Sequence, residues 1–153
     1  MPYLGVDSWR WQYFAPVPCP DGVTVPVDDA TAWALYPDRR WVYDKLAICR
    51  TQGLPHGPHG IEPARYPVFS KPIVNLRGMG IGSRPIASAR AYRQALSAGH
   101  MWIPLLTGRH VSTDVALAGG RPAWWRHTTG VPRKAGTFDY WTVHAERDPP
   151  LER

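Results

Sequence analysis

Prolines and glycines interrupt this chain along its whole length. Seventeen prolines and fourteen glycines occur among 153 residues. Proline breaks a helix interior and glycine weakens one, so long helices are excluded almost everywhere. Eight tryptophans and seven tyrosines supply large side chains that suit strands and a buried core. We therefore expect a strand-rich α+β fold.

The overall composition is that of a globular protein, with 44% hydrophobic and 20% charged residues. The length suits one ordinary domain or two small lobes that share a hinge. No apolar run approaches the roughly 20 residues of a membrane helix, and the N-terminus lacks a signal-peptide pattern. We expect a soluble, cytoplasmic protein without membrane contact, whose oligomeric state the sequence leaves open.

The basic side chains give a formal net charge of +6. This charge is compatible with nucleotides, nucleic acids or acidic substrates as partners, and it does not choose among them. The two cysteines, Cys19 and Cys49, are too few for a disulfide framework and lack CxxC spacing. We expect both to be reduced thiols.

The first 37 residues show no helical periodicity and carry several prolines. We expect an irregular arm or the remnant of a preceding domain, with one short edge strand at residues 22–27. From residue 38 to 53 the pattern changes, since Trp41, Leu46 and Cys49 recur at helical spacing and Gly53 stands at the C-terminal cap. These residues predict a helix of about ten residues.

The remaining elements are predicted from apolar runs and turn residues. Residues 66–71 favour a strand, and residues 85–99 favour a helix capped by Gly99. Residues 100–106 form a second apolar run, in which Pro104 favours an edge position or a turn out of the sheet. The last third predicts strands at 111–118, 123–127 and 138–144, a turn at 119–122 and a loop at 128–136.

A lysine followed by alternating glycines is the most informative local pattern. Lys71 ends a strand-like run, and Gly78, Gly80, Gly82 and Ser83 follow it. Glycine lets several backbone N–H groups face one concave side, and an ammonium adds compact positive charge, which together suit a polyphosphate. The glycines could equally form a tight turn between strand and helix, and Lys71 could be a strand-edge lysine that blunts aggregation.

The order of these elements resembles the ATP-grasp superfamily, whose members hold ATP between two α+β lobes. The resemblance covers about residues 41 to 144. It begins with Asp44-Lys45 opening a helix that ends in Gly53-Leu54-Pro55, continues with Lys71 and the glycine loop, and ends with a hinge and a hairpin. It implies an ATP-grasp-like two-lobed fold in residues 38–153, with a small lobe at about 66–106 and a second lobe at about 107–144.

The resemblance also implies roles for individual residues. Lys45 and Lys71 would neutralise phosphates, and Gly78, Gly80, Gly82 and Ser83 would cover them. The backbone of the hinge would hold adenine and a later histidine would lie near the ribose; these residues are Trp102, Ile103, Leu105 and His110. Without the resemblance, Lys45 would be a solvated helix residue and His110 an ordinary strand histidine.

Three departures from the family pattern stand out. The stretch between Lys45 and Lys71 is short, so a helix common in the family is missing. Trp102 occupies the position where the family usually has a glutamate. The magnesium ligands usually come from a later acidic segment, and Glu146 and Glu152 do not match it. The resemblance therefore implies ATP and magnesium as cofactors, with metal ligands not identifiable here, in the N-terminal portion of a longer ligase or in a degenerate relative. Such a ligase activates a carboxylate, here of unknown identity, as an acylphosphate for attack by an amine or thiol.

A non-catalytic binding module is the alternative. Basic and aromatic residues alternate at 9–11, 39–41 and 124–127, a pattern that could stack single-stranded bases. Since aromatic residues also build a strand-rich core and no nucleic-acid motif is present, nucleic acid is not the expected partner. His56 and His59 are too few for a metal site and favour a proline-braced turn. No serine or cysteine stands in a nucleophile context.

Overall fold

The computed structural model of the chain describes residues 3–19, 21–76, 80–108, 110–132 and 138–144. The strands in these ranges are β1 (Tyr3–Leu4), β2 (Val25–Pro26), β3 (Gly57–Pro58), β4 (Val68–Pro72), β5 (Arg84–Ile86), β6 (His100–Pro104), β7 (Val111–Ala118), β8 (Arg121–Pro132) and β9 (Phe138–Val143). The helices are α1 (Trp11–Phe14), α2 (Asp29–Leu35), α3 (Lys45–Thr51) and α4 (Ala89–Gln94), with 3-10 turns at Ser8–Arg10 and Pro37–Tyr43. The fold is mixed α+β, as expected.

The N-terminal segment is more ordered than the sequence suggested. β1 and β2 form a parallel pair, so the strand expected at 22–27 is confirmed in part. The prediction of an irregular arm is wrong where α2 forms. This helix starts after Asp28, whose carboxylate accepts the Thr31 N–H at 2.8 Å and the Thr31 hydroxyl at 2.7 Å. These bonds hold the pKa of Asp28 below its usual value. The cap satisfies a free N–H at the start of a short helix.

The helix expected at residues 38–53 is divided in two at Asp44. A 3-10 turn, Pro37–Tyr43, precedes it and α3 follows it. The Asp44 carboxylate accepts the N–H groups of Leu46 at 2.9 Å and Ala47 at 3.3 Å. An aspartate that caps in this way holds its own backbone in an extended conformation, which ends one helical segment and begins the next. Gly53 closes α3 with φ at 64°, as predicted.

The core lies on both faces of a four-stranded antiparallel sheet, the central sheet, whose strand order is β3-β6-β4-β5. Side chains alternate across it. The face that carries α4 buries Val68, Ile86, Tyr92 and Trp102. The opposite face packs against α3 and buries Cys49, Met101 and Ile103, with Phe69 and Ile73 around them. Both cysteines are free thiols, in agreement with the sequence.

Two expectations for the central sheet are wrong. The helix expected at 85–99 is shorter, because Ile86 pairs with Val68 in β5 and the helix begins only after the Ser88 cap. The edge position is wrong for β6, since β3 and β4 pair with it on either side, whereas Pro104 is its last residue, as a turn out of the sheet requires. Pro104 is tolerated there because β3 pairs only with Trp102 and Met101, so no partner faces the missing N–H.

The remaining strands form a separate antiparallel sheet, the C-terminal sheet, in the order β7-β8-β9. Its hairpin turns at Gly119 and Gly120, both with positive φ, and the strands on either side are confirmed. The prediction of a loop at 128–136 is wrong for residues 128–132, because these residues continue β8 and pair with β9. Residues 133–136 lie outside the described part of the chain. No helix in the described ranges is long and apolar enough to cross a membrane.

Candidate functional site

Lys45 and Lys71 lie next to each other at one end of β4. Lys45 opens α3, where its N–H donates to the Ile73 carbonyl at 3.1 Å and its Nζ donates to the Pro72 carbonyl at 3.2 Å. Lys71 precedes Pro72 in β4. Its side chain alternates with that of Ser70, so it shares the α3 face with Phe69. The first helical turn of α3 and the end of β4 thus bring the two ammonium groups within electrostatic range of each other.

The electrostatic environment of this pair is unfavourable for cations. Partial burial lowers the pKa of Lys45, and the charge of Lys71 lowers it further. Neither lysine has a carboxylate partner among the described residues, where the salt bridge formed is Arg93–Glu62 at 3.1 Å. Two like charges held together without a counterion favour the binding of an anion, which would relieve their repulsion.

The end of the glycine loop lies near Pro72 and His100, by the face of the central sheet opposite Lys71. Gly80 and Gly82 have φ of 64° and 76°, and the Ser83 N–H donates to the Gly80 carbonyl at 2.9 Å, which closes a tight turn. A Cβ on Gly82 would lie 3.3 Å from Pro72 Cγ and 3.4 Å from His100 Nε2. Pro72 is therefore a common neighbour of Gly82 and Lys45. Gly78 lies outside the described residues, as do Glu146 and Glu152.

The predicted hinge residues belong to the core of the central sheet. Trp102 pairs with Gly57 and Ser70, and Ile103 pairs with Phe69. The Leu105 N–H donates to the Pro67 carbonyl at 3.2 Å. Trp102 and Ile103 are 8% and 9% exposed, so both contribute to the core whatever else they do.

His110 stands elsewhere, just before the C-terminal sheet. Its ring packs edge-on against Trp141 with 5.5 Å between the ring centroids. It neighbours β7, whereas Lys71 belongs to the central sheet. The structure thus brings Lys45 and Lys71 within electrostatic range of each other, places Gly82 by the opposite face of the central sheet, and places His110 beside a different sheet.

A buried histidine–serine pair was not predicted from the sequence. Ser70 is fully buried, and its hydroxyl lies 3.0 Å from His59 Nε2. His59 Nδ1 accepts the Ser97 N–H at 3.0 Å, so the neutral ring carries its proton on Nε2 and donates it to Ser70. To act as a general base toward Ser70, His59 would need an unprotonated nitrogen facing the Ser70 hydroxyl. In this tautomer the nitrogen that faces the hydroxyl, Nε2, carries the proton, so His59 cannot act as the base. The spacing of His59, Ser70 and Ser97 along the sequence does not reveal these contacts, because the folded sheet brings the three residues together.

Both histidines of the 56–59 segment have structural contacts. His56 Nδ1 lies 2.6 Å from the Leu54 carbonyl, and both ring nitrogens of His59 are engaged. The Tyr92 hydroxyl donates to the Ile61 carbonyl at 2.8 Å and accepts the Gly60 N–H at 3.1 Å. Within the described ranges no three metal-ligating side chains are grouped. The segment acts as a brace between β3, α4 and the central sheet.

Protonation of His59 is expected to destabilise the fold. Burial, then His100 and Arg84, lower its pKa below the ordinary 6.5. The unfolded chain therefore binds the proton first, so the His59 contribution is complete above about pH 6.5 and is lost as the pH falls through the lowered folded pKa. Thermal unfolding across this window should show a decline that His59→Gln flattens. His56→Gln is the control, and an unchanged decline in His59→Gln would contradict the assignment.

The exposed aromatic residues are distributed over several parts of the chain. Trp9 is 66% exposed, Trp41 55% and Trp124 40%. Arg10 lies 6.0 Å from the Trp9 ring and Arg126 lies 5.9 Å from the Trp124 ring. These two cation–π pairs are exposed to solvent, one at the N-terminal 3-10 turn and the other on β8.

An apolar cleft of about 450 Å³ opens on the α4 side of the central sheet. Its walls include Pro55, Ala64, Arg65, Val68, Trp102 and Pro104. Val68 and Lys71 lie on opposite faces of β4 and near opposite ends of it. The cleft is therefore separate from the lysine pair.

Neither a scan of protein-family models nor a search of curated proteins finds a match to this chain.

Proposed function

We propose that the protein binds ATP in the manner of an ATP-grasp ligase, with the triphosphate against Lys45 and Lys71. The observation that carries the proposal is the lysine pair itself. Its two ammonium groups lie at the junction of α3 and β4 without a carboxylate among the described residues. Burying part of a cation beside a like charge is costly, and a bound polyanion offsets that cost.

The sequence resemblance assigns the turn from Gly80 to Ser83 to the loop that covers the phosphates, and Gly82 itself lies by the sheet face opposite Lys71. Positive φ at Gly80 and Gly82 is readily adopted only by glycine, and Gly82 approaches Pro72 closely. In the proposed complex, the backbone of this loop covers the phosphates and excludes water from them. Adenine would lie against the hinge that includes Trp102, Ile103 and Leu105, and the ribose near His110.

The proposed reaction is that of a carboxylate-amine or carboxylate-thiol ligase. A carboxylate oxygen attacks the γ-phosphorus of ATP, which releases ADP and forms an acylphosphate; the amine or thiol then displaces phosphate. Lys45 and Lys71 would hold the phosphates in line and neutralise part of their charge. Magnesium, when bound, would neutralise further charge on the phosphates.

Loss of Lys71 is expected to weaken ATP binding at least about tenfold, because a charge-assisted contact contributes about 1.5–3 kcal/mol. Isothermal titration of the protein with ATP, with and without magnesium, measures the effect in wild type and Lys71→Met. Arg121→Met, at the exposed hairpin of the C-terminal sheet, removes the same charge elsewhere and should change the affinity little. Equal losses in the two variants, or no binding by wild type, would refute the proposal.

The nucleic-acid alternative predicts a different outcome of the same experiments. Affinity for an oligonucleotide would fall steeply with salt and would not respond to ATP. Binding of that kind in Lys71→Met and wild type alike would favour a basic aromatic surface, with exposed residues such as Trp9 and Trp124 as the stacking platform.

A further inference from the structure

The cleft on the α4 face of the central sheet has an unusual chemical lining. Three prolines, Pro55, Pro67 and Pro104, contribute to its walls together with Val68 and Trp102. Prolines offer no backbone N–H. The Trp102 indole N–H is already donated to the Ile61 carbonyl at 2.7 Å. These walls therefore present apolar surface and few hydrogen-bond donors.

One side chain breaks this apolar pattern. Arg65 lines the cleft, and its guanidinium forms no ion pair with a carboxylate among the described residues, in contrast to Arg93, which pairs with Glu62. A guanidinium matches the planar geometry of a carboxylate and can hold both oxygens at once. A lone arginine at the edge of apolar walls selects a ligand with a single negative charge.

We propose that this cleft binds a small molecule with a flat apolar body and one carboxylate, of the class of aromatic monocarboxylates. The apolar body lies against Trp102 and the prolines, and the carboxylate pairs with Arg65. The volume of about 450 Å³ falls in the range of about 300–1,000 Å³ found for small-molecule sites.

This inference is independent of the proposed function. The cleft lies on the face with Val68 and Trp102, whereas Lys71 projects from the other face of β4. A ligand in the cleft is therefore distinct from the triphosphate and from the carboxylate that would react with it; the two proposals share Trp102, whose side chain lines the cleft and whose backbone belongs to the proposed adenine site. Failure of one proposal leaves the other intact.

The test uses 1-naphthoate and its uncharged analogue 1-naphthalenemethanol as probes. Both are titrated into the full chain while the Trp102 indole N–H is followed by NMR, with Trp102→Phe used to assign its signal. We expect 1-naphthoate to shift this signal with a Kd of about 1 mM, as its size allows, and to bind at least about tenfold more tightly than the alcohol.

Two variants separate the charge from the fold. Arg65→Gln should abolish the preference for 1-naphthoate while leaving the alcohol affinity unchanged. Arg50→Gln, which removes a cation from α3 on the opposite side of the sheet, should keep the preference. The proposal is overturned if neither probe shifts the Trp102 signal, if wild type binds both probes equally, or if Arg65→Gln retains the preference.

Discussion

Replacing Met101 with alanine is expected to lower the free energy of unfolding by about 2–5 kcal/mol. Met101 is completely buried in β6, an interior strand of the central sheet. It packs with Cys49 of α3 and with Ile103, and so joins the helix that carries Lys45 to the sheet that carries Lys71. Alanine removes most of its apolar contacts and leaves a cavity that a paired strand cannot close. Urea denaturation followed by tryptophan fluorescence measures the loss.

Two controls separate this cavity effect from a general sensitivity of the fold. Met101→Leu preserves most of the volume and should cost less than about 1.5 kcal/mol. Leu106→Ala changes a side chain that is 67% exposed and should cost less than about 0.5 kcal/mol. Comparable destabilisation in Leu106→Ala and Met101→Ala would mean that β6 is not the interior strand described above.

The C-terminal strands were predictable because their signals are local. Val111, Thr113, Val115 and Leu117 alternate with smaller or polar residues along β7, and Gly119 and Gly120 provide the positive φ of a hairpin turn. The helix at 85–99 was wrong for a non-local reason. Ile86 and Tyr92 do share a buried cluster, as a helical face would require. Ile86 reaches the cluster from β5 and Tyr92 reaches it from α4. The spacing of the two residues along the sequence is the same as in one long helix, so it cannot distinguish the two arrangements.

The candidate site was predictable only in part. The sequence singled out Lys45 and Lys71 through a family resemblance, and their proximity depends on the α3–β4 packing that burial of Met101 and Cys49 produces. Residues that meet through sheet register, such as His59 and Ser70, carry no signal in their spacing. The apolar cleft was missed because its prolines resemble linker residues until the fold brings them around Trp102.

A methyl group on Gly57 is expected to cost about 1–3 kcal/mol of stability. Gly57 is buried in β3 and pairs with Trp102. A Cβ there would lie 3.0 Å from three atoms of the indole, Cε2, Cζ2 and Nε1. The ring would have to shift, which would break its hydrogen bond to the Ile61 carbonyl and disturb the core around Val68. Urea denaturation of Gly57→Ala, with NMR of the Trp102 indole N–H, measures both effects.

A double-mutant cycle identifies the indole as the cause. Phenylalanine at position 102 removes part of the clashing ring, so Gly57→Ala should cost less in a Trp102→Phe background than in wild type. Gly60→Ala serves as a control, because φ at Gly60 is 106° and a Cβ there meets nothing within 4 Å; its cost reflects backbone strain alone and should be independent of Trp102. If Gly57→Ala is equally costly in both backgrounds, the close approach of β3 to the indole does not explain why this position is glycine.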